Sequence, residues 1–164
     1  MRKIIYRGQQ RRYGEQVRLD GTPVPSNWFY GGVLQGDGDH SVIYDKDGKH
    51  PVYTDTLSEY TGFNDTNGSM IFEGDILKIF FKLEDPMDPE REFAEESYLV
   101  YWNQNMGCWS GRLLTGNLDR VSWPSIGEMI DGHEESPWMT ICVIGNRFDN
   151  PELIPEGLEV PDAR

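Results

Sequence analysis

The stretch YTGFNDTNGSMIFEGDILKIFFKL, residues 60–83, decides the fold of this chain. Asn67-Gly68 is the strongest short-range signal for a tight turn within it, because both residue types tolerate a positive φ. Beyond that turn, every second residue from Leu77 to Leu83 is apolar, whereas Lys78 and Lys82 fall on the opposite face. Such alternation predicts a half-buried antiparallel strand that follows the turn.

The same pattern of short strands and polar turns extends through the rest of the sequence. Turn residues (Gly, Asn and Asp) separate short apolar or aromatic runs, which is typical of a small β-barrel or sandwich. Asp47-Gly48 predicts a hairpin turn. Residues 124–130 favour one short helix, and the acidic residues 84–96 favour an exposed loop. Strands are predicted at residues 3–7, 28–34, 40–44, 49–54, 76–83, 97–102, 108–115 and 138–144.

The composition excludes a mostly helical protein. Alanine, the best helix former, occurs only twice, whereas glycine and proline, the worst, occur 18 and 10 times. The 5 Trp, 8 Tyr and 7 Phe residues are enough for a compact β core. The length of 164 residues allows one domain, or one domain with a small subdomain.

The net charge of -13 argues against binding to nucleic acid or to an anionic membrane. The charge is uneven: residues 1–20 carry six basic and two acidic side chains, a net charge of +4, so the remaining residues carry -17. Solvated acidic loops at 84–96 and 149–162 account for most of this pattern. Two alternatives stay open, a basic arm that binds phosphates through Arg11 and Arg12, and an acidic face that imitates DNA.

Two features favour a cytoplasmic protein. Residues 1–7 are basic, but the apolar region that a secretory signal requires does not follow them. The sequence also has no apolar run that approaches the roughly 18 residues needed to span a bilayer. In the cytoplasm we expect Cys108 and Cys142 to be buried thiols, with a disulfide as the alternative.

The sequence has no pattern that indicates a metal, a cofactor or a nucleotide. The histidines His40, His50 and His133 are scattered, and neither cysteine has a second ligand at metal-binding spacing. Glycine-rich phosphate loops and the nucleophile motif GxSxG are absent from the sequence. We therefore expect no cofactor and no metal site.

Two groups of carboxylates raise the alternative of acid–base catalysis. Glu73 and Asp75 can share one face of an extended segment, and His133 lies in the acidic run 131–135. A structural role is the stronger interpretation of the first pair, because Gly74 lets the chain turn while the flanking acids accept backbone N–H groups. Acidic loops with one histidine are common, so we expect no catalytic residue in either group.

Four aromatic residues are candidates for stacking nucleic-acid bases, as some small barrels do. They are Tyr98, Tyr101, Trp102 and Trp109. Because they lie on apolar strands of an acidic chain, packing in the core is the favoured interpretation.

Residues 60–78 resemble the hallmark segment YTGLKDKNGKEIYEGDIVK of the YopX family of phage and prophage proteins. Residues 143–153, VIGNRFDNPEL, are similar to the closing segment VIGNIYENPEL of that family. Residues 4–8 and 28–31 are similar to further family segments. The motif positions are Tyr60, Thr61, Gly62, Asn67, Gly68, Glu73, Gly74, Asp75, Gly145, Asn146 and Pro151.

This resemblance implies a mainly β protein with little helix, of phage or prophage origin. It implies an N-terminal β-hairpin region at 1–59 and an SH3-like small β-barrel at 60–150. An acidic, proline-rich tail at 151–164, attached only at its start, would complete the chain. The family brings no catalytic residues, so the motif positions are interpreted as structural.

The sequence thus favours an accessory protein without chemistry of its own, which binds a host or phage protein or further copies of itself. Exposed aromatic residues on short edge strands would support this hypothesis. The first alternative is a link to nucleic acid, through the basic arm or through an acidic mimic that inhibits a DNA-binding enzyme. The second is a hydrolase that depends on acidic residues or on a metal and uses Glu73, Asp75 or the His133 cluster.

Overall fold

The computed structural model describes residues 4–10, 27–35, 38–82, 93–116, 125–135 and 139–159. One helix, α1, comprises Ile126–Glu135 within these ranges, and 3-10 turns comprise Thr54–Thr56 and Pro151–Leu153. The expectation of a mainly β chain is confirmed. The strands are β1 (Tyr6–Gln9), β2 (Trp28–Gln35), β3 (His40–Asp45), β4 (Gly48–Tyr53), β5 (Ser58–Asn64), β6 (Met70–Phe72), β7 (Asp75–Lys82), β8 (Phe93–Asn103), β9 (Cys108–Thr115) and β10 (Met139–Asn146).

The chain divides into two compact units, Met1–Tyr60 and Thr61–Arg164. Within unit 1, antiparallel pairing gives the strand order β4-β3-β2-β1-β5, in which β5 contributes Ser58 and Glu59. Within unit 2, β6 pairs with β5, and the remaining strands form an antiparallel sheet in the order β10-β7-β8-β9. Because neither sheet of described strands closes on itself, the SH3-like barrel is not confirmed.

The core of unit 1 is built around Ile43 and Val52, which are both fully buried. Glycine lets β2 and β3 come close together here, since an added Cβ at Gly31 would lie 2.1 Å from the carbonyl oxygen of Tyr44. A side chain at position 31 would therefore force these two strands apart.

The hairpin predicted at Asp47-Gly48 is confirmed. Strands β3 and β4 pair up to Asp45 and Gly48, and Gly48 has φ +136°. Asp45 Oδ1 accepts hydrogen bonds from the backbone N–H groups of Asp47 (2.7 Å) and Gly48 (3.0 Å). The aspartate thus closes the turn that the glycine makes possible.

The main core of unit 2 combines residues from the four-stranded sheet, β6 and α1. The predicted alternation in β7 is confirmed there, since Leu77 and Ile79 are fully buried, whereas Lys78 forms an ion pair with Glu95 of β8. The core residues are Ile71, Leu77, Ile79, Tyr98, Val100, Trp109, Ile126, Met129, Met139 and Ile141.

The aromatic residues of β8 and β9 pack as predicted. Tyr98 and Trp109 belong to the core of unit 2, and Trp102 meets Trp109 edge to face with ring centroids 5.1 Å apart. Tyr101 is half-buried. The interpretation as core residues is therefore confirmed for Tyr98, Trp102 and Trp109.

Helix α1 is longer than predicted and includes residues 131–135, so the interpretation of that acidic run as a loop is wrong. The Ser125 side chain caps the helix by accepting a hydrogen bond from the N–H of Glu128 at 3.0 Å. Ile126 and Met129 are fully buried, and this apolar side holds the helix on the core, whereas Glu128 and Asp131 are exposed.

A second, smaller core contains Ile76, Leu99 and Leu114. Residues of the chain's end pack against it, namely Leu153, Ile154 and Leu158. Residues 151–158 are therefore held along their length, and the expectation of a tail attached only at its start is wrong for them. The cause is that apolar residues occur among the prolines and glutamates of this segment.

The acidic run 84–96 is in part a strand, because β8 begins at Phe93; residues 83–92 lie outside the described ranges. Glu96 is buried and accepts a hydrogen bond from the Tyr98 hydroxyl at 2.7 Å. Cys108 and Cys142 are thiols, as predicted, but are only half-buried. Of the described segments, none forms a helix long and apolar enough to cross a bilayer.

Candidate binding surface

The two motif segments of the sequence meet in unit 2. Ile76 on β7 pairs with Gly145 on β10. In the turn before β7, the Gly74 N–H donates to the carbonyl of Val100 (2.8 Å), and the Arg147 N–H donates to the carbonyl of Gly74 (2.8 Å). This turn therefore joins the hallmark segment to β8 and to the closing segment.

Asp65, which sequence reasoning did not select, organises the loop between β5 and β6. Its carboxylate accepts hydrogen bonds from the N–H groups of Asn67 (2.9 Å), Ser69 (2.8 Å) and, on β10, Val143 (3.0 Å). Asp65 is only 7% exposed. An aspartate two residues before Asn-Gly is the signal that would have identified it, since aspartate commonly accepts N–H groups within turns.

The same loop covers the outer edge of β10, which is an edge strand of its sheet. Thr66 donates to the carbonyl of Ile141 through both its N–H (3.0 Å) and its hydroxyl (2.7 Å). Together with the Asp65 bond to β10, these contacts occupy backbone groups that would otherwise be open to pairing with another chain.

The closing motif forms a second ordered turn. Asn146 Oδ1 accepts hydrogen bonds from the N–H groups of Phe148 (2.9 Å) and Asp149 (3.0 Å). Gly145 permits the close approach, because an added Cβ there would lie 2.4 Å from Asn150 Oδ1. Pro151 then begins the 3-10 turn that leads into the second core.

The other motif positions also lie in ordered backbone. Tyr60, Thr61 and Gly62 are on β5, and the Thr61 hydroxyl donates to the carbonyl of Ile71 at 2.8 Å. Asn67 and Gly68 form the exposed tip of the loop, where Gly68 has φ +82°.

The carboxylates at 73 and 75 do not form an exposed pair. Both residues are buried, and Asp75 Oδ2 accepts a hydrogen bond from the N–H of Phe72 at 2.8 Å. The predicted backbone-accepting role is thus confirmed for Asp75. The side chain of His133, and Arg11 and Arg12 of the predicted basic arm, lie outside what the structure describes. Within the described ranges, His, Cys, Asp and Glu do not assemble into a group of three or more that could hold a metal ion.

Unit 1 exposes apolar side chains on the sheet face opposite the Ile43 core. Strand pairing places Gly32 beside Tyr44 and Lys49 in one row, and Leu34 beside Val42 and Pro51 in the next. Directly paired residues share a face, and Tyr30 joins them because it lies two residues before Gly32 on β2. We call this surface the Tyr30 face; it consists of Tyr30, Gly32, Leu34, Val42, Tyr44, Lys49 and Pro51.

The Tyr30 face is more open to solvent than large apolar side chains usually are. The exposed fraction is 60% for Leu34, 44% for Tyr30 and 37% for Tyr44. Single exposed apolar residues are ordinary, but neighbours on one face form a patch that is characteristic of interaction sites.

A notch lies near the middle of the Tyr30 face. Gly32 is exposed, and a Cβ built on it would meet no atom within 4 Å. Tyr30 and Leu34 flank it along β2, and Tyr44 lies beside it on β3. The glycine thus leaves a recess between three larger side chains.

The opposite side of this sheet is firmly held. Phe29 and His50 stack with ring centroids 3.9 Å apart and planes 10° from parallel. His50 Nε2 also lies 2.9 Å from Asp45 Oδ1, and this hydrogen bond, together with those from the turn's N–H groups, lowers the pKa of Asp45 below its usual 3.8. The side chains on the other side of the sheet from the Tyr30 face are therefore ordered by stacking and hydrogen bonding.

The net charge of the whole chain does not describe unit 1, which is neutral. Residues 1–60 contain eight basic and eight acidic residues, so the entire -13 belongs to residues 61–164, with seven basic and twenty acidic. On the Tyr30 face the exposed cation is Lys49, whose Nζ lies 5.5 Å from the centre of the Tyr44 ring. Arg7 pairs with Tyr30 and so lies on the same face of the sheet, but it is buried, with its guanidinium 4.8 Å from the centre of the Trp28 ring. Unit 1 is thus a neutral unit with a cation on its apolar face.

The sequence alone did not identify the Tyr30 face. In WFYGGVL, residues 28–34, the alternation places Trp28, Tyr30 and Leu34 on one face and Phe29 and Val33 on the other. Both sets are apolar, so the sequence did not indicate which one is exposed; strand pairing and burial in the structure settle this.

Comparison with known proteins agrees with the resemblance in the two motif segments. A sequence model of the YopX protein family matches residues 33–155, about three quarters of the chain. Among curated proteins no significant match is found. The chain therefore belongs to the YopX protein family.

Proposed function

We propose that this chain is an accessory protein, encoded by a phage or prophage, that acts by binding another protein through the Tyr30 face. The observation that carries the proposal is the cluster of Tyr30, Leu34 and Tyr44, exposed side by side around Gly32. Tyrosine is enriched in protein interfaces because it offers a large apolar area with few rotatable bonds.

Affinity capture tests this proposal. Tagged full-length protein and the double variant Tyr30→Ser/Tyr44→Ser would be incubated with bacterial lysate, both with and without nuclease treatment. The matched control is Met106→Ser, which removes a 56% exposed apolar side chain from the turn between β8 and β9 in unit 2. Circular dichroism would establish that each variant is folded.

We expect a stoichiometric protein with wild type and with Met106→Ser, and loss of that protein with the double variant. Capture that is equal for all three proteins would contradict a role for the Tyr30 face. Capture that disappears on nuclease treatment would instead favour the nucleic-acid alternative.

A further inference from the structure

We propose that the notch over Gly32 receives one apolar side chain from an extended, acidic segment of the protein partner. This inference rests on the proposed function and specifies the chemistry of the partner. Three observations support it: the open space over Gly32, the neighbouring apolar side chains of Leu34, Val42 and Pro51, and the cation of Lys49.

The fold does not require glycine at position 32. At the neighbouring Gly31 a Cβ would lie 2.1 Å from a backbone oxygen, so glycine is needed there for strand packing. At Gly32 a Cβ would meet nothing within 4 Å, and φ is not in the left-handed region. The recess between Tyr30, Leu34 and Tyr44 is therefore available to a side chain from outside.

The row beside the notch fixes the apolar character of the partner. Leu34, Val42 and Pro51 lie side by side on β2, β3 and β4. Aliphatic side chains gain by burial against other apolar side chains, in proportion to the area removed from water. A partner that covers this row must present apolar residues next to the one in the notch.

Lys49 fixes the charge of the partner. It lies two strands away from Gly32, in the same row, and is exposed. Two strand spacings are about 10 Å, which three residues of an extended peptide also span. An acid about three residues from the apolar side chain in the notch would therefore reach the ammonium group.

Single-stranded nucleic acid fits this surface less well than a peptide. Its binding requires several cations to neutralise phosphates, in addition to aromatic rings for the bases. Among the exposed side chains of the Tyr30 face, the structure shows one cation, Lys49, and two aliphatic residues, Leu34 and Pro51. The observations therefore favour the peptide, and an oligonucleotide serves as a comparison in the test.

The experiment is a selection from a displayed library of random peptides against immobilised full-length protein. Gly32→Trp fills the notch without meeting another residue near its Cβ, and Lys49→Glu reverses the charge. Binding of the selected peptides, and of a short oligothymidylate, would be measured for wild type and both variants. Arg112→Glu, an exposed charge reversal on β9 of unit 2, is the matched control.

We expect the selected peptides to combine apolar residues with Asp or Glu, and to bind Gly32→Trp about tenfold more weakly. Lys49→Glu should weaken them about fivefold, and Arg112→Glu should change little. Selected peptides that are basic or uncharged, or affinities that neither variant changes, would refute the acidic segment. Oligothymidylate binding that Gly32→Trp abolishes would assign the notch to nucleic acid instead. If lysate capture still depends on the Tyr30 face in either case, only the peptide inference fails and the binding surface stands.

Discussion

Asp65 shows how one side chain can hold together parts of the chain that are distant in sequence. Its carboxylate accepts N–H groups from its own loop and from Val143, 78 residues away. The motif positions around it act in the same way, since Thr61, Asn146 and Asp75 each use their side chains to satisfy backbone groups. The motif side chains of this chain therefore act mainly by hydrogen bonding to the backbone.

Replacing Asp65 should therefore cost stability. We expect Asp65→Ala to lower the free energy of unfolding by about 2–4 kcal/mol, because three N–H groups lose a charged acceptor. Asp65→Asn, which keeps an acceptor oxygen, should cost less. Urea unfolding followed by tryptophan fluorescence measures both.

Asp47→Ala provides the control for this measurement. Asp47 lies in an exposed turn, where its side chain meets that of Lys46 at 3.4 Å, so its loss should change the free energy of unfolding by less than about 0.5 kcal/mol. An Asp65→Ala variant as stable as Asp47→Ala would show that the loop does not contribute through this carboxylate.

Among the elements of secondary structure, the turns form where the sequence predicts them. The end of helix α1 and the packing of residues 151–158 differ from the prediction. The hairpin at Asp45–Gly48 forms where Asp-Gly predicted it, because a positive φ is a local property. Helix α1 extends to Glu135, past the apolar residues that predicted it. Residues up to Leu158 are ordered because Leu153, Ile154 and Leu158 pack on a core formed by residues distant in sequence.

The β3–β4 hairpin should respond to acid through Asp45. Its pKa is lowered first by the hydrogen bond with His50, so the folded state favours the carboxylate. The resulting stabilisation is complete above the unfolded value near 3.8 and is lost as the pH falls through the lower, folded pKa. We therefore expect wild type to be more stable than Asp45→Asn at about pH 6, with a smaller difference at about pH 3.

Urea midpoints over this pH range would measure the difference between the two proteins. Asp45→Asn keeps the shape and one acceptor oxygen, removes the charge, and replaces the second carboxylate oxygen with an amide NH2 group. Asp55→Asn, a change at an exposed position in the same unit, is the control. A difference that does not shrink towards low pH would contradict the role given to this hydrogen bond.

For the whole molecule, charge is divided between the units. Unit 1 is neutral, whereas unit 2 carries seven basic and twenty acidic residues. Excess charge of one sign destabilises a compact state through repulsion, and salt screens that repulsion. The net charge of the chain is therefore a property of unit 2, and it is no argument about what unit 1 binds.

Salt should accordingly stabilise the protein. We expect the Tm to rise by about 2–4 °C between low salt and roughly 0.3 M NaCl, equivalent to about 1 kcal/mol. The double variant Glu152→Gln/Glu156→Gln, at two exposed positions of unit 2, should start from a higher Tm and respond less. A Tm that falls as salt is added would mean that attractive ion pairs outweigh repulsion.

By itself, the sequence determined the β class, the Asn-Gly and Asp-Gly turns, the alternation in β7 and the membership of the YopX family, because each depends on residues close together in the chain. Only the tertiary structure decided which face of β2 is exposed, that the two motifs meet, and that Gly31 is needed for packing whereas Gly32 is open. Burial depends on what lies opposite a residue, and that is set by strand pairing between distant segments.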